Sequence, residues 1–583
     1  MEHSPERELK LAATADFRMP SIYGLVGPTA RLAPPERNET TYYDTPDLRL
    51  ARWGASLRHR PGEGWTVKLP AERAKPFLVR PEIVFEGDGE RPPSAAVELV
   101  RGFVRDADLL ERVRMTTIRR RTELHDADGK LIAGVVDDAV SVRNGEGPSS
   151  FRELEVEIGE EMTPGLLDAL VERLRQAGAG APDQTAKYIR ALAPPSPLLP
   201  EISVPDLDAG SSAGDVVRRA IALSVIRLIL HDPVVRLDVD PEGVHQARVA
   251  TRRLRSDLRT FRPLLDRAWS SPVRDELGWL AGLLGDVRDG DVLLERLRRR
   301  TAELPAAEED AAHAVLETLG ASRDASHAEL LETLRGQRYV ALLDRLVDAA
   351  TAPALREDAS APAGDVIPGL VRRPWHKLTK RVDSLDVRPS DAQLHEVRIR
   401  TKRVRYAAEA AAPIVGKGAR AFAQAAARLQ DVLGDLNDTV VAASWLEEWS
   451  GQRSSLEERA GANALIAGER AAAERLRGSW RASWDELEAP KLRAWMLRRR
   501  FAQRADSSTA DARTGSRRSS SSTAPRTTTG RFPRESWRQA SWRRTPPCAR
   551  SRRRRGCAVA STESCERRAT ATRAVVRRRC ATG

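Results

Sequence analysis

Glu6-Arg7-Glu8-Leu9-Lys10-Leu11 is the stretch whose reading decides the fold of this 583-residue chain. As a β-strand its side chains alternate between two faces, so Glu6, Glu8 and Lys10 point one way and Leu9 and Leu11 the other. Two carboxylates and an ammonium on one face are unusual for the inside of a sheet. A distant stretch answers it. In Phe151-Arg152-Glu153-Leu154-Glu155-Val156-Glu157-Ile158, Glu153, Glu155 and Glu157 share one face and Leu154, Val156 and Ile158 the other. The apolar side has a core to pack against. The acidic side must face water, cations or a filled cavity, and a closed barrel with a wet interior satisfies both strands.

Charge is unevenly distributed. The net charge is +13, but residues 501–583 hold 21 arginines, no lysine and 5 acidic residues, a surplus of 16 that leaves residues 1–500 at −3. The body is near neutral, so the total gives no specific nucleic-acid partner. All four cysteines (Cys548, Cys557, Cys565, Cys580) lie in that tail, without paired metal-ligand spacing. A body without cysteine has no disulfide framework and no thiolate metal site. There is no apolar leader, and no apolar run approaches the roughly 20 residues of a membrane span. A cytoplasmic protein without membrane contact is expected.

A chain of this length needs more than one core. Residues 1–192 are strand-rich, with alternating runs at 65–69 and 131–136 and turns at Pro61-Gly62, Gly87-Asp88-Gly89 and Asp128-Gly129. Helical patterns intrude near 95–112 and 164–177. Five prolines and a Gly-Ser cluster mark residues 193–214 as an interdomain linker. Residues 215–500 switch to Ala/Leu/Arg/Glu-rich helical periodicity, interrupted near 352–368, giving two parts of about 215–350 and 365–500. Residues 503–583 lack Leu and Ile and are rich in Arg, Ser and Thr, which predicts a disordered tail. The fold class expected is α+β and multidomain, a barrel followed by a helical bundle.

Further charges repeat the alternation of the opening strand: Arg58 and Arg60, Lys68, Arg119 and Arg121, Asp137 and Asp138, and Lys187 before Tyr188. Each pair alone also suits a solvated sheet face. Gathered inside one barrel, they form a basic lining beside an acidic cluster. Carboxylate clusters bind hard cations such as Mg²⁺, which share phosphate oxygens as ligands. Arginine and lysine hold the remaining oxygens, as fork and as point charge.

The series Glu6-x-Glu8-x-Lys10, Tyr42-Tyr43-Asp44-Thr45-Pro46, Leu57-Arg58-His59-Arg60, Trp65-Thr66-Val67-Lys68-Leu69-Pro70, Glu153-Leu154-Glu155-Val156-Glu157 and Lys187-Tyr188 resembles the CYTH family, the triphosphate tunnel metalloenzymes, over about residues 4–192. The resemblance implies an eight-stranded antiparallel tunnel that binds a triphosphate and a divalent metal, Mg²⁺ or Mn²⁺. It implies metal ligation by Glu6, Glu8, Glu155 and Glu157, with Asp137 or Asp138 nearby and Glu153 on the same face. Which two of the three late glutamates reach the metal stays open. Lys10, Arg58, Arg60, Lys68, Arg119, Arg121 and Lys187 are then the phosphate-holding set. The catalytic group comprises Glu6, Glu8, Lys10, Glu155 and Glu157. Arg80 and Glu82 match a weaker Arg-x-Glu pattern, with Pro81 unusual for a central strand.

The helical region carries a repeat. His245-Gln-Ala-Arg248-Val-Ala-Thr-Arg252-Arg253-Leu-Arg255 aligns on His395-Glu-Val-Arg398-Ile-Arg-Thr-Lys402-Arg403-Val-Arg405, and Leu284-Gly285-Asp286-Val-Arg-Asp289 on Leu433-Gly434-Asp435-Leu-Asn-Asp438. A duplicated helical unit predicts a bundle with pseudo-twofold symmetry. At about 100° per residue, His245, Arg248, Arg252, Arg255 and Arg259 fall within an arc of about 80°. Ala247, Ala250, Leu254, Leu258 and Phe261 cover the opposite side. The second copy keeps His395, Arg398, Lys402 and Arg405 on its stripe, with Glu409 in place of the fifth cation. Like charges at this spacing destabilise a helix by a few tenths of a kcal/mol per pair, so an acidic partner or a bound polyanion must offset them. Asp286, Asp289, Asp435 and Asp438 are the internal candidates. A protonated histidine among phosphates would donate from both nitrogens.

These residues resemble the CHAD domain, a helical module found fused to CYTH, over about 215–500. That resemblance implies inorganic polyphosphate bound along a surface of His245, Arg248, Arg252, Arg253, Arg255, His395, Arg398, Lys402, Arg403 and Arg405. The expected function is a metal-dependent hydrolase of inorganic triphosphate or polyphosphate ends, with a polyphosphate-binding module. The alternatives are a non-catalytic, granule-associated polyphosphate binder, or a nucleotide cyclase or organic-triphosphate hydrolase using the same grip.

Overall fold

The structure, a computed structural model, describes residues 7–497 apart from 15, 23–24, 26–28, 71, 75–76, 80, 145–146, 160, 184 and 193–197. Glu6, Arg80 and the 503–583 tail therefore lie outside the described residues. The described residues belong to one compact unit.

The first part builds one antiparallel sheet from twelve segments: β1 Arg7–Ala13, β2 Thr29–Leu32, β3 Glu36–Asp44, β4 Ser56–Arg60, β5 Gly64–Lys68, β6 Glu72–Ala74, β7 Phe77–Val79, β8 Glu82–Phe85, β9 Leu110–His125, β10 Leu131–Asn144, β11 Gly147–Ile158 and β12 Ala179–Pro182. Hydrogen bonding runs β6-β7-β1-β11-β10-β9-β3-β4-β5-β8, with β12 on β1 and β2 on β9. Setting aside those two side segments and the three-residue β6 and β7 leaves the eight strands expected. The chain itself closes the wall. β7 belongs to the end beside β1 and β8 to the end beside β5, yet only residues 80 and 81 separate them, a span of at most about 11 Å. The sheet must curl until its edges meet, and Leu69 N–H donating to the Pro81 carbonyl at 3.0 Å extends the β5–β8 ladder into that seam.

Period-two alternation then sorts the side chains. Outward, Leu11, Val135, Leu154 and Val156 pack on Leu170 and Leu174 of the helix over Pro164–Gln176. On the other side Leu57, Trp65, Val67, Ile83 and Phe85 pack on Leu99, Val100 and Phe103 of the helix over Ser94–Val104. The helices of this half are α1 Arg49–Trp53, α2 Ser94–Val104, α3 Pro164–Gln176 and α4 Lys187–Leu192. The helical pattern near 95–112 stops at Val104, because Arg105 takes a left-handed φ of 57° and Leu110 opens β9. The turn glycines Gly62, Gly87 and Gly129 all have positive φ (78°, 133° and 82°), the conformation that costs glycine least. Asp44 of the Tyr-Tyr-Asp-Thr-Pro motif is structural: its buried carboxylate accepts the N–H groups of Thr45, Leu50 and Ala51 at 2.7–2.9 Å, fixing the β3–α1 corner.

The second part is all helix: α5 Ala213–Leu237, α6 Pro241–Thr260, α7 Arg267–Thr301, α8 Ala306–Arg335, α9 Gln337–Thr351, α10 Ala363–Asp383, α11 Asp391–Val415, α12 Lys417–Gly451, α13 Leu456–Arg477, α14 Trp480–Glu488 and α15 Pro490–Leu497. The break between α9 and α10 falls within the proline-containing stretch. α6 starts at Asp240, whose side chain accepts from Glu242 N–H, with Pro241 in the first turn. α11 starts at Ser390 with a reciprocal capping box to Gln393. Ala247, Ala250, Leu254, Leu258 and Phe261 are buried, so α6 turns its apolar side inward as the periodicity predicts. The described part of the 193–214 linker is packed: Ile202 is buried, and Glu201 pairs with Arg105 and accepts from Trp53 Nε1 at 2.7 Å. Through α2 and α5 the two halves share one hydrophobic core.

Candidate functional site

The inward faces of the strands carry the charges. Register puts Lys10 beside Glu155 and Glu8 beside Glu157 across β1–β11. Across β10 it puts Asp138 between Glu153 and Arg119. Lys10 Nζ lies 2.6 Å from Glu155 and 3.6 Å from both Glu8 and Glu153. Arg119 forks onto Asp138 at 3.0 and 2.8 Å and reaches Glu155 at 3.2 Å. Lys187, at the start of α4, pairs with Asp138 and lies 3.4 Å from Glu155 and 3.5 Å from Glu153. Arg121 pairs with Glu157 at 2.7 Å.

The opposite wall is basic. Arg58 and Arg60 on β4 and Lys68 on β5 face inward, with Glu82 of β8 on Lys68 and 3.7 Å from Arg58. Arg60 Nε donates to Thr40 Oγ1 at 3.0 Å. Tyr42, stacked on Tyr188 of α4 at 5.2 Å, ties the walls together. Burial pushes its phenol up, but Arg58, Lys68, Lys187 and Arg60 outweigh it and hold the group below its ordinary value. One tyrosine therefore feels both the β4–β5 wall and the lysine bound to the acidic wall. Tyr42, Tyr188, Val113, Met115, Val140 and Val142 form an apolar plug at one end of the inner face.

The electrostatics of the two walls differ. Burial alone would lower Lys10, but Glu155, Glu8 and Glu153 raise it; Lys187 is likewise held up against burial by Glu155, Asp138 and Glu153. Glu155 stays far below the usual carboxylate range, since Lys187, Lys10 and Arg119 overcome the burial that opposes its charge. Lys68 is pushed down by burial and by Arg58 against Glu82 and Tyr42, and burial followed by Arg58 also lowers Arg60 against Glu63. Opposite charges dominate around Lys10, Lys187 and Glu155; on the basic wall burial and mutual repulsion outweigh the carboxylates present.

Asp137 is a correction to the sequence reading. It lies on the outer face of β10, opposite Leu154, with Arg152 forked onto it at 2.7 and 2.6 Å. Asp138 alone faces the acidic cluster. Arg190 was missed: it sits one helical turn after Lys187, 3.6 Å from Glu153, a spacing that could have exposed it. Gly134 was missed too. A Cβ there would stand 2.9 Å from the Arg121 guanidinium and 3.2 Å from Glu157, so glycine makes room for that pair.

The donors on the acidic wall are all carboxylate oxygens, the chemistry of a hard divalent cation. Both oxygens of Glu153 are buried without a hydrogen bond; Lys10, Lys187 and Arg190 stand 3.5–3.6 Å away, and burial with the neighbouring Glu155 carboxylate holds the group above its ordinary value against the two lysines, so it can accept from an ion or water. Among the described residues no three acidic or histidine side chains already converge as a ligand cluster. The residue types fit a metal, and the described geometry is that of an acidic wall closed by ion pairs.

In the helical half the stripes of α6 and α11 lie together. Arg248 pairs with Asp289 at 2.6 Å and its equivalent Arg398 approaches Asp438 at 3.8 Å. Gly285 and Gly434 underlie those two guanidinium groups, 3.6–4.0 Å from an added Cβ. Pairing with the repeat aspartates thus accounts for one arginine per repeat. Arg252 donates to the Tyr406 hydroxyl at 2.8 Å, and Arg252, Arg253 and Arg405 ring Tyr406 at 5.3–5.9 Å. Lys402 has no ion pair among the described residues; burial, then Arg398, Arg252 and Arg248, lower it to about 7. Burial followed by Arg288 lowers His245, while His395 Nδ1 meets Asn437. Arg255 and Arg403 also have no contact ion pair among the described residues, although Glu396 acts on Arg403 from further off, and cations from both repeats meet at one place.

Comparison with known proteins agrees with this architecture. A CYTH domain model matches residues 4–189 and a CHAD domain model residues 219–447. An uncharacterized protein of Mycobacterium tuberculosis, MT2285, is 33% identical over 464 residues, 75% of this chain and 87% of that one. Among solved structures, the CHAD domain from the plant Ricinus communis is 25% identical, covering 49% of this chain and 96% of its own, with a TM-score of 0.41. PptA from Streptomyces chartreusis is 23% identical over 47% of this chain and 100% of its own, with a TM-score of 0.40. CYTH domains are metal-dependent and process triphosphates. No described helix is long and apolar enough to cross a membrane. The chain belongs to the family of proteins in which a CYTH domain precedes a CHAD domain.

Proposed function

We propose that the bore hydrolyses inorganic triphosphate and that the helical half binds inorganic polyphosphate. The observation that carries the first claim is Tyr42, within electrostatic reach of Arg58, Arg60, Lys68 and Lys187 at once. A linear triphosphate supplies the negative charge this basic wall lacks. Arg58 and Arg60 fork onto phosphate oxygens and Lys68 adds a point charge. Lys10, Arg119 and Lys187 hold the carboxylates of Glu155 and Asp138 in place. Glu8, Glu155 and Glu157 would hold Mg²⁺ or Mn²⁺, which supplies charge neutralisation at the phosphate oxygens. Phosphoryl transfer asks mainly for position and charge, and this wall pair provides both.

For the helical half, support comes from Lys402, Arg252, Arg398 and Arg248, which repel one another across two helices. A polyanion removes that repulsion. Binding of this kind weakens steeply as salt rises.

The test is a panel of triphosphate, ATP, thiamine triphosphate and long-chain polyphosphate with Mg²⁺ or Mn²⁺, using the native chain and Glu155→Gln. Phosphate release from triphosphate that the variant loses supports the reading. Cyclic AMP from ATP, or no phosphate from any substrate, overturns it.

A further inference from the structure

The two repeats match at their centre but not at their outer ends. Counting 150 residues along, Arg253 corresponds to Arg403 and Arg259 to Glu409. On one side of the α6–α11 pair, Arg253 forms an ion pair with Glu409, which also accepts from Arg405 Nε at 2.8 Å. On the other side the equivalent positions set Arg403 against Arg259. Burial lowers Arg259, and the next contributions are repulsion from Arg403, Arg274 and Arg255.

Three elements supply that second group: Arg255 and Arg259 from α6, Arg274 from α7 and Arg403 from α11. None of the four has an ion pair among the described residues, and Arg255 and Arg259 are exposed. α7 places Gly278 beneath Arg255, whose guanidinium lies 3.6 Å from an added Cβ, so the group rests on backbone rather than against a competing side chain. On the mirror side Glu409 lines a cleft of about 280 Å³ with Arg405, Arg420 and Gln424. One glutamate pairs with two arginines at that end. A glutamate at 259 would have done the same here, yet the chain keeps four unpaired arginines.

We propose that the cationic track is one-ended. A polyphosphate chain crossing the Arg248–Arg252–Arg398–Lys402 centre leaves over Arg255, Arg259, Arg274 and Arg403, while Glu409 closes the opposite exit. This rests on the reading of the helical half as a polyphosphate binder, and it adds a direction and an extended surface beyond the central cluster.

The experiment uses the full chain, long-chain sodium polyphosphate and isothermal titration at two salt concentrations. Arg259→Glu recreates on this side the pair that Arg253 makes with Glu409, so its thermal midpoint should equal or exceed the native one. Its affinity for long chains should fall about tenfold, and the salt slope should drop by roughly 0.7–0.9 for each phosphate no longer neutralised. Glu409→Arg should raise long-chain affinity by opening the closed end. Native affinity in a well-folded Arg259→Glu, alongside weakened binding in Arg252→Ala, overturns the one-ended track and leaves the central site standing. No binding of long chains by the native protein sinks both.

Discussion

Lys402 gives the sharpest pH prediction. It sits on α11 between Arg398 of its own helix and Arg252 and Arg248 of α6, and burial followed by those three charges lowers it to about 7. A polyanion bound there adds negative charge beside the ammonium and restores it toward the ordinary value of about 10.4. The group is thus higher in the complex than in the free protein. Its contribution to affinity is full below pH 7 and is lost as pH rises toward the bound-state value. From pH 7 to 8.5, one such proton weakens polyphosphate binding by roughly tenfold. Titration calorimetry in two buffers of different ionisation heat should show proton uptake on binding at pH 8. Lys402→Arg keeps the charge at every pH and should flatten the profile. An equally steep profile in Lys402→Arg, or a flat one in the native chain, would refute the reasoning.

Four further outcomes follow from the geometry. Asp138→Asn should abolish phosphate release from triphosphate, whereas Asp137→Asn should leave the rate within about twofold and lower stability by about 1–3 kcal/mol, because it breaks the part-buried Arg152 pair; equal kinetic losses in both would contradict the placement of Asp137 outside the bore. Gly134→Ala puts a methyl 2.9 Å from Arg121 and should cut kcat/KM about tenfold with circular dichroism unchanged, since an ångström of misplacement is costly in a site that works by position. Treatment with EDTA should stop triphosphate hydrolysis and added Mg²⁺ or Mn²⁺ should restore it; turnover that survives chelation and dialysis removes the metal from the proposal. Gly102→Ala drives a Cβ to within 2.7 Å of the Asp232 carboxylate between the two halves and should cost about 1–3 kcal/mol, read as an earlier denaturant midpoint; no shift would mean the halves do not pack this closely.

Period two in Glu8-Leu9-Lys10-Leu11 and Glu153 to Ile158 was enough to separate a charged face from an apolar one, because each strand is buried on both sides by different partners. The same rule shows why Asp137 and Asp138 cannot both reach one cluster, but choosing between them needs the register against Arg119 and Glu153. Register depends on long-range pairing, which no local pattern contains. Closure was expected from the two charged faces, but where the sheet closes was not legible: it follows from β7 and β8 belonging to opposite ends of the pairing order. The proline-rich 193–214 segment looked like a spacer by composition, yet Glu201 and Ile202 anchor it through contacts that only the folded neighbours Arg105 and Trp53 supply. The repeat at 245 and 395 was legible outright. The exchange of Arg259 for Glu409 was legible with it, but its consequence appears only when α6 and α11 are side by side.

The junction between the halves bears on both proposed activities. Asp232 of α5 is buried, accepts from Arg236 Nε and the Tyr339 hydroxyl at 2.7 Å each, and fills the space that a side chain at Gly102 of α2 would need. A carboxylate so enclosed is tolerable only because its partners are fixed, and fixing them fixes α2 against α5. α2 in turn backs β4, β5 and β8, the strands whose inner faces carry Arg58, Arg60, Lys68 and Glu82. α5 packs along α6, the helix of Arg248 and Arg252. The basic wall of the bore and the basic stripe of the bundle are therefore mounted on adjoining layers of one core, not on domains joined by a free tether. A polyphosphate held on the stripe as proposed would be presented to the sheet at a set distance and angle. Coupling between the sites then requires no linker motion, only a chain long enough to reach from one surface to the other.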